Sequence, residues 1–597
     1  MGVVEDDRGV LLAAPTGVAD SRGEAAQRWC VVSAARIDDR PVLRDELERA
    51  GVPAGTAATD PELILSAYRC WGPECVDHLQ GDFAFAIWDR ARGRLFCARD
   101  RVGTVPFYYH HAAGSQFAFA SEVGPILQLP GVSRDLDPLR VAFYLEPFFE
   151  DVERTFHASV KRLPPGHTLS VERTGATLRR YWSLDPRREL DLGSDAAYVE
   201  AFRDCFLGAV EDRLRGARRP GVLLSGGLDS ACVLGAVRAR TRAMPAPATP
   251  FATLSAVFPG CPQADERDYI ESALADGGVD SHFVVADDLS PLGAIDEMFT
   301  HIDEPFHVPN LFVYWALARK AQGLGLDALL DGVDGDTTVS HGLEYLAEMF
   351  ARRRWVSLLR ATRALARRLG GSTASYLWRF AVRPNLVRAR PFAVRPPRVI
   401  AASLVELSGW REERRAWAAA WSRPRSHREA HWEHLTSGLL PYYLEVNDQV
   451  AATFGLDHTH PYYDSRLMEL CLALPADQRL RHGWDRRIQR VAAAGWVPSR
   501  IQWRVQKAYW GGHFEASLSC ADEPTLERVV RDGPGSVFDF ADRATVADSW
   551  GRCRRGVATA QDYMNVWVTS TLALWLECRR NGHSCRAPDA ALEFRQL

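Results

Sequence analysis

The sequence predicts a multi-domain α/β protein, an antiparallel-strand domain followed by a domain built on a parallel sheet. Three observations carry this prediction. The chain has 597 residues, too many for one hydrophobic core. Its first 185 residues break into short apolar and aromatic runs bounded by Gly, Asp and Arg, the pattern of strands and turns. From Asp195 onward helical patterns alternate with short strands, the rhythm of βαβ units around a parallel sheet. The boundaries predicted are 1–185 and 195–597, with the polar stretch Asp185–Ser194 as the linker.

In the first domain the strand candidates are Trp29–Ser33, Phe83–Trp88, Arg94–Ala98, Pro106–His110 and Gln116–Ala120. In the second they are Gly221–Leu224, Phe251–Phe258, Ser281–Val285 and Ala328–Leu330. One segment breaks the rhythm. Between Glu348 and Glu406 there is no acidic residue and there are thirteen arginines, with Trp355, Tyr376, Trp378 and Phe380 among them. This Arg-rich insertion, about 350–405, has amphipathic helical spacing over 352–369. It reads either as a solvated helical arm or as a basic surface for an acidic peptide or partner protein.

Composition narrows the class. Apolar residues make up 47% and charged residues 25%, as in ordinary globular proteins. A net charge of −4 gives no global pull toward nucleic acid. No apolar run approaches the ~20 residues that cross a bilayer, so no transmembrane segment is expected. The acidic start, Met1 to Arg8, carries no signal-peptide pattern. Twelve cysteines without Cys-x-x-Cys pairs indicate neither a zinc ribbon nor a disulfide framework. Free thiols in a cytoplasmic protein are the expectation.

The densest chemical signal is Val222 to Ser230, Val-Leu-Leu-Ser-Gly-Gly-Leu-Asp-Ser. An apolar strand breaks at glycines and restarts as a helix over Ala231–Val237. Such a connection aims backbone N–H groups and a helix N-terminus at one spot and favours a bound anion. Gly226 and Gly227 permit close backbone approach, and Ser225 and Ser230 add hydroxyl donors. Asp229 beside phosphate calls for a bridging cation. A second Asp/Gly turn, Asp331-Gly-Val-Asp-Gly-Asp336, follows the strand candidate Ala328–Leu330.

No Gly-Lys-Ser/Thr follows, so this is not a Walker loop. Ser225–Ser230 resembles the pyrophosphate (PP) loop of the N-type ATP pyrophosphatases, in the form carried by asparagine synthetases. Gly81–Asp89, Ala98–Gly103 and Phe117–Glu122 resemble the glutaminase domain of the same family. The resemblance implies an Ntn-hydrolase-like αββα sandwich followed by a PP-loop, adenine nucleotide α-hydrolase-like domain. It also implies ATP and Mg²⁺ as cofactors. Leu223 and Val257 match adenine-contact positions, and Asp331, Gly332 and Arg486 match nucleotide-side positions. Asp229 and Asp336 match the metal positions. Arg490 completes a Lys-x-x-x-Arg-like pattern with Arg486. Lys507, in Trp503-Arg-Val-Gln-Lys507, matches a catalytic lysine near the α-phosphate, where it would stabilise developing charge. Glu445 and Asp448, three apart on one helix face, match the acceptor side. Either is a candidate base for an attacking amine, and both are equally candidates for structural ion pairs.

Two departures narrow the activity. Glutaminases of this class use Cys after Met1, where this sequence has Gly2, and their substrate-gripping Asn-Gly-Glu lines up with Ala34-Ala35-Arg36. A degenerate, non-hydrolysing amidotransferase-like domain is expected, so the amine comes from the substrate. Val333 stands where asparagine synthetases carry Glu and β-lactam synthetases Tyr. Gly335–Gly342 is similar to the pattern of lasso peptide cyclases. The implied activity is AMP-forming macrolactam closure: an Asp or Glu side chain of a precursor peptide is adenylated, and its N-terminal amine attacks. The implied partners are that peptide, a leader peptidase and a leader-recognition protein, with no nucleic acid. The alternative is a β-lactam synthetase-like or other small-molecule amide synthetase.

Overall fold

The computed structural model describes residues 2–5, 11–14, 18–20, 28–113, 115–243, 251–387, 394–421, 424, 426–505, 514–515, 517–518 and 521–581. Lys507 therefore lies outside the described residues.

The chain begins with β1 (Gly2–Glu5), β2 (Leu11–Ala14), β3 (Val18–Asp20), β4 (Trp29–Ile37), β5 (Gly81–Asp89), β6 (Arg94–Arg99), β7 (Tyr108–Ala112), β8 (Gln116–Ala120), β9 (Lys161–Arg162), β10 (His167–Glu172) and β11 (Gly175–Arg180). A six-stranded sheet runs β11-β10-β6-β5-β4-β3 and a three-stranded one β8-β7-β9, all neighbours antiparallel. Strand alternation assigns the two faces. Val31 and Phe85 pack under the helices Arg40–Arg49 and Asp60–Trp71, and Cys30, Val32 and Ala86 pack against Phe107, Tyr109 and Leu163 of the smaller sheet and its flanks. The first helix-bearing layer, two sheets and the short helix Val123–Leu127 thus stack in order. Each predicted strand of this domain is present within a few residues. β1 to β3 and β9 to β11 were not anticipated.

The second half holds β12 (Pro220–Leu223), β13 (Ala252–Val257), β14 (Asp280–Val285), β15 (Ala328–Leu330) and β16 (Asp457–Thr459). They form one parallel sheet in the order β14-β13-β12-β15-β16. In chain order this is 3-2-1-4-5, so the winding reverses between β12 and β15. Ligands of doubly wound sheets lie in the crevice at that reversal, beyond the carboxyl ends of the strands. The two loops singled out in the sequence leave those two strand ends. Helices Asp195–Leu214 and Leu228–Ala243 build one core layer, and the long helix Ala560–Arg580 anchors the other.

The Arg-rich arm forms the helices Trp355–Leu369 and Thr373–Leu377, continued to Val387 through a π-helical turn. It is attached through Leu346, Leu358, Leu365 and Ala381. Among the described residues no helix is long and apolar enough to cross a membrane.

Candidate active site

The sheet reversal brings the two loops into direct contact, and glycine makes the contact possible. A Cβ on Gly332 would lie 2.4 Å from the Ser230 nitrogen and 2.6 Å from the Asp229 carbonyl carbon. A Cβ on Gly335 would lie 2.7 Å from both Cγ and Oδ1 of Asp229. Gly226 takes φ +75°, a backbone that L side chains rarely adopt. The Ser230 hydroxyl fastens the first loop, 3.2 Å from the Ser225 N–H and 3.1 Å from the Ser225 hydroxyl. Behind the loop the 16-residue helix Leu228–Ala243 presents its N-terminus.

Asp229 is the centre of the polar network. Arg486 Nη1 donates to both of its oxygens at 2.9 Å, and Gln489 Nε2 donates to Oδ1 at 2.7 Å. An ionised carboxylate has about four acceptor sites, so Oδ2 keeps capacity for a further partner. Asp336 follows Gly335 on the facing loop, with His341 Nε2 3.8 Å from its Oδ2. The other ring nitrogen of His341 lies 2.5 Å from Asp485. Burial lowers the His341 pKa, but hydrogen bonds to Asp336 and Asp485 outweigh it and push it up to about 9. Two carboxylates on touching loops, one with open acceptor capacity, form an oxygen-donor set suited to Mg²⁺.

Ser225, Gly226, Gly227, Asp229, Ser230, Gly332, Asp336 and Arg486 lie together on the two loops and the segment that grips Asp229. Leu223 is half-buried at the end of β12. Val257 departs from expectation: its side chain is wholly buried in the core and its carbonyl accepts the Ala286 N–H, so it is not open to a ligand. Asp331 departs too. Its backbone lies at the loop contact, but its carboxylate turns away to His458 and His460. Arg490 ties Asp485 to the carbonyls of Gln502 and Arg504 and serves as a strut.

The acceptor-side pair separates into two roles. Glu445 lies 2.7 Å from Arg162, 3.1 Å from Arg99 and 3.1 Å from the Tyr108 hydroxyl, all in the N-terminal domain. Burial would raise its pKa, but Arg162 and Arg99 hold it below the usual carboxylate range. It is a buried ion pair between domains and not a proton acceptor. Asp448 is pushed up to about 7 by burial and by Asp457 and Glu122. Val333 packs with Trp182, Trp432, Leu440, Leu444 and Tyr463, an apolar wall beside the loops.

Three residues that the sequence did not assign belong to the network, and a fourth lies beside it. Gln489 bridges Asp229 to the Tyr462 hydroxyl, Asp485 orients His341, and Arg504 donates to the Gly226 carbonyl. His460 completes the Asp331 cluster. Three of them stood beside predicted residues: Arg504 within Trp503–Lys507, Asp485 next to Arg486 and Gln489 next to Arg490.

Residues 201–577 match the asparagine synthase family, and residues 23–182 match the glutamine amidotransferase domain. The chain belongs to the asparagine synthase family. It is 37% identical over 193 residues to asparagine synthetase [glutamine-hydrolyzing] 3 of Bacillus subtilis, covering 32% of this chain and 31% of that one. It is 26% identical over 341 residues to putative asparagine synthetase [glutamine-hydrolyzing] 2 of Methanocaldococcus jannaschii, covering 56% and 64%. It is 28% identical over 313 residues to the amidase chyE of Penicillium rubens, covering 50% and 45%. The chain therefore spans less than two-thirds of the length of these relatives. The asparagine synthase family uses ATP.

In the amidotransferase-like domain Arg36 pairs with Asp38 and Asp82. Cys97 is fully buried, and burial pushes its thiol pKa up.

Proposed function

We propose that this chain is an AMP-forming amide ligase that closes a macrolactam in a precursor peptide of the lasso type. The observation that carries the ligase reading is the interlocked loop pair, in which Gly332 and Gly335 pack directly on Asp229 and Ser230. Asp229 and Asp336 would hold Mg²⁺, which supplies charge neutralisation at the triphosphate. The amides of the first loop and the helix behind it hold phosphate oxygens, and Arg486 keeps Asp229 oriented. Converting a carboxylate to its AMP ester turns a poor leaving group into a good one. Holding an amine of the same molecule beside it supplies much of the remaining rate.

Three features favour an amine from the substrate itself over ammonia from glutamine. Arg36 fills its position with an ion pair, and Arg99 and Arg162 pair with Glu445 across the domain interface. The wall around Val333 is apolar and lacks the acid that small amino-acid substrates meet in asparagine synthetases. The arm supports a peptide substrate. Trp355, Val356, Leu359, Leu369, Trp378 and Leu386 are exposed on it beside Arg353, Arg360, Arg363 and Arg367. A leader peptidase and a leader-recognition protein are the partners this reading calls for.

The test is incubation with ATP, Mg²⁺ and candidate precursor peptides encoded beside the gene. The expected products are AMP, pyrophosphate and a peptide lighter by one water. Absence of peptide-dependent pyrophosphate with every candidate would overturn the cyclase reading.

A further inference from the structure

Sheet register gathers a second set of ionisable side chains beside the two loops. β15 and β16 are parallel, with Leu330 opposite Thr459, so Asp331 and His460 leave adjacent strand ends together. Strand side chains alternate, which puts His458 and His460 on one face and Thr459 on the other. His460 Nδ1 lies 3.0 and 3.1 Å from the two Asp331 oxygens. His458 Nε2 lies 3.0 Å from Asp331 Oδ2, and its Nδ1 lies 2.7 Å from the Tyr314 hydroxyl. All three side chains are at most 3% exposed.

One imidazole is enough to satisfy a buried carboxylate. Here two face it, and His458 is further held by Tyr314 through its other nitrogen. Burial would raise the Asp331 pKa, but His460 and His458 hold it well below the usual range, so Asp331 remains the anion. The cluster also sits at the carboxyl ends of β15 and β16, the side of the sheet on which the two loops lie. Gly332, its chain neighbour, touches Asp229 and Ser230. On the far side Tyr443, Asn447 and Asp448 approach on the helix Leu439–Thr453, which packs along β16. Asp448 itself is linked electrostatically to Asp457 and Glu122. Asp457 starts β16 while His460 follows its end, about 10 Å apart at the usual strand rise.

We propose that His460, held by Asp331 and positioned through His458 and Tyr314, accepts the proton of the attacking amine; this rests on the amide-ligase reading above. The amine lone pair forms the C–N bond to the acyl carbon. The acyl C–O bond breaks with its electron pair leaving on the AMP phosphate oxygen. The ammonium proton passes to the imidazole, whose new charge Asp331 stabilises. The charged and titratable neighbours of the cluster are Tyr314, Asp334, Tyr443, Asp448, Asp457 and Tyr463, and Arg213 donates to the His460 carbonyl.

The experiment compares the wild type with His460→Gln, Asp331→Asn and His458→Gln. Each receives ATP, Mg²⁺ and the candidate precursor peptides. Adenylation is read as peptide-dependent ATP–pyrophosphate exchange and as hydroxamate trapped by hydroxylamine, a nucleophile that needs no base. Ring closure is read by mass across pH 6 to 9. In His460→Gln exchange and hydroxamate stay within about threefold of wild type, while closure falls 10²- to 10⁴-fold and loses its rise with pH. Closure near the wild-type rate, or exchange lost together with closure, overturns the assignment. So does a wild-type pH profile in His460→Gln. If His460→Gln fails to fold, Asp331→Asn must show the same separation of exchange from closure, and its absence overturns the assignment. No exchange in the wild type refutes the ligase reading itself, and the assignment falls with it.

Discussion

Gly335→Ala isolates the contact between the two loops. The added Cβ would lie 2.7 Å from Asp229 Oδ1 and Cγ, whereas ordinary contact begins at 3.4 Å, so the carboxylate must move by 3.4 − 2.7 = 0.7 Å. It cannot simply swing aside, because Arg486 grips both oxygens at 2.9 Å and Gln489 grips Oδ1 at 2.7 Å. Gly335 opens the helix Gly335–Val339 and does not have a positive φ, so alanine brings no backbone strain there. Overpacking costs about 1–3 kcal/mol, and the helix preference of alanine offsets up to about 1 kcal/mol. The net loss of stability is about 1–2 kcal/mol, a shift of a few degrees in Tm. A catalytic group displaced by about 1 Å costs on the order of 10²-fold in rate. ATP–pyrophosphate exchange is therefore expected to fall about 10²-fold in a protein that melts nearly normally. Exchange within about threefold of wild type would refute the claim that this contact positions Asp229.

Other outcomes follow from the same geometry. Arg162→Met leaves Glu445 and Glu304 short of a partner at the buried interface, and urea unfolding should show a loss of about 3–5 kcal/mol. Arg162→Met combined with Glu445→Gln should lose less than the sum of the two single variants. His307 is fully buried against the Tyr144 carbonyl, and burial lowers its pKa to about 3. Its unfolded value is near 6.5, so the unfolded chain binds the extra proton, and this contribution to stability, complete above about pH 6.5, is lost as pH falls toward 3. Between pH 7 and 5 the wild type should lose about 2 kcal/mol more than His307→Leu, measured by urea unfolding at both values. Replacing Arg360, Arg363 and Arg367 by Gln on the exposed face of the arm should raise the KM for the peptide about tenfold and leave the KM for ATP unchanged. An unaltered KM for the peptide would remove the arm from substrate binding.

What the sequence revealed follows contact range. The first loop was legible because its strand, glycines, hydroxyls and helix are contiguous. The second was legible because it repeats the Asp/Gly turn after an apolar strand. Glu445 could be placed on a helix face, but its partners Arg162 and Arg99 are 283 and 346 residues away, so only the fold decides between base and ion pair. β16 was missed because Asp-His-Thr has no apolar run, and it is a strand only through its pairing with β15. The same pairing makes His458 and His460 a site with Asp331, 129 residues away from His460. Val257 matched a family position but lies beneath the sheet surface, where burial and the Ala286 hydrogen bond use it up.

The account turns on where the amine comes from. The most direct test is mass spectrometry of the candidate precursor peptides after incubation with the protein, ATP and Mg²⁺, with neither glutamine nor ammonia added. A peptide lighter by one water, with stoichiometric AMP and pyrophosphate, is the predicted result. Amide formation that requires glutamine or added ammonia would contradict it.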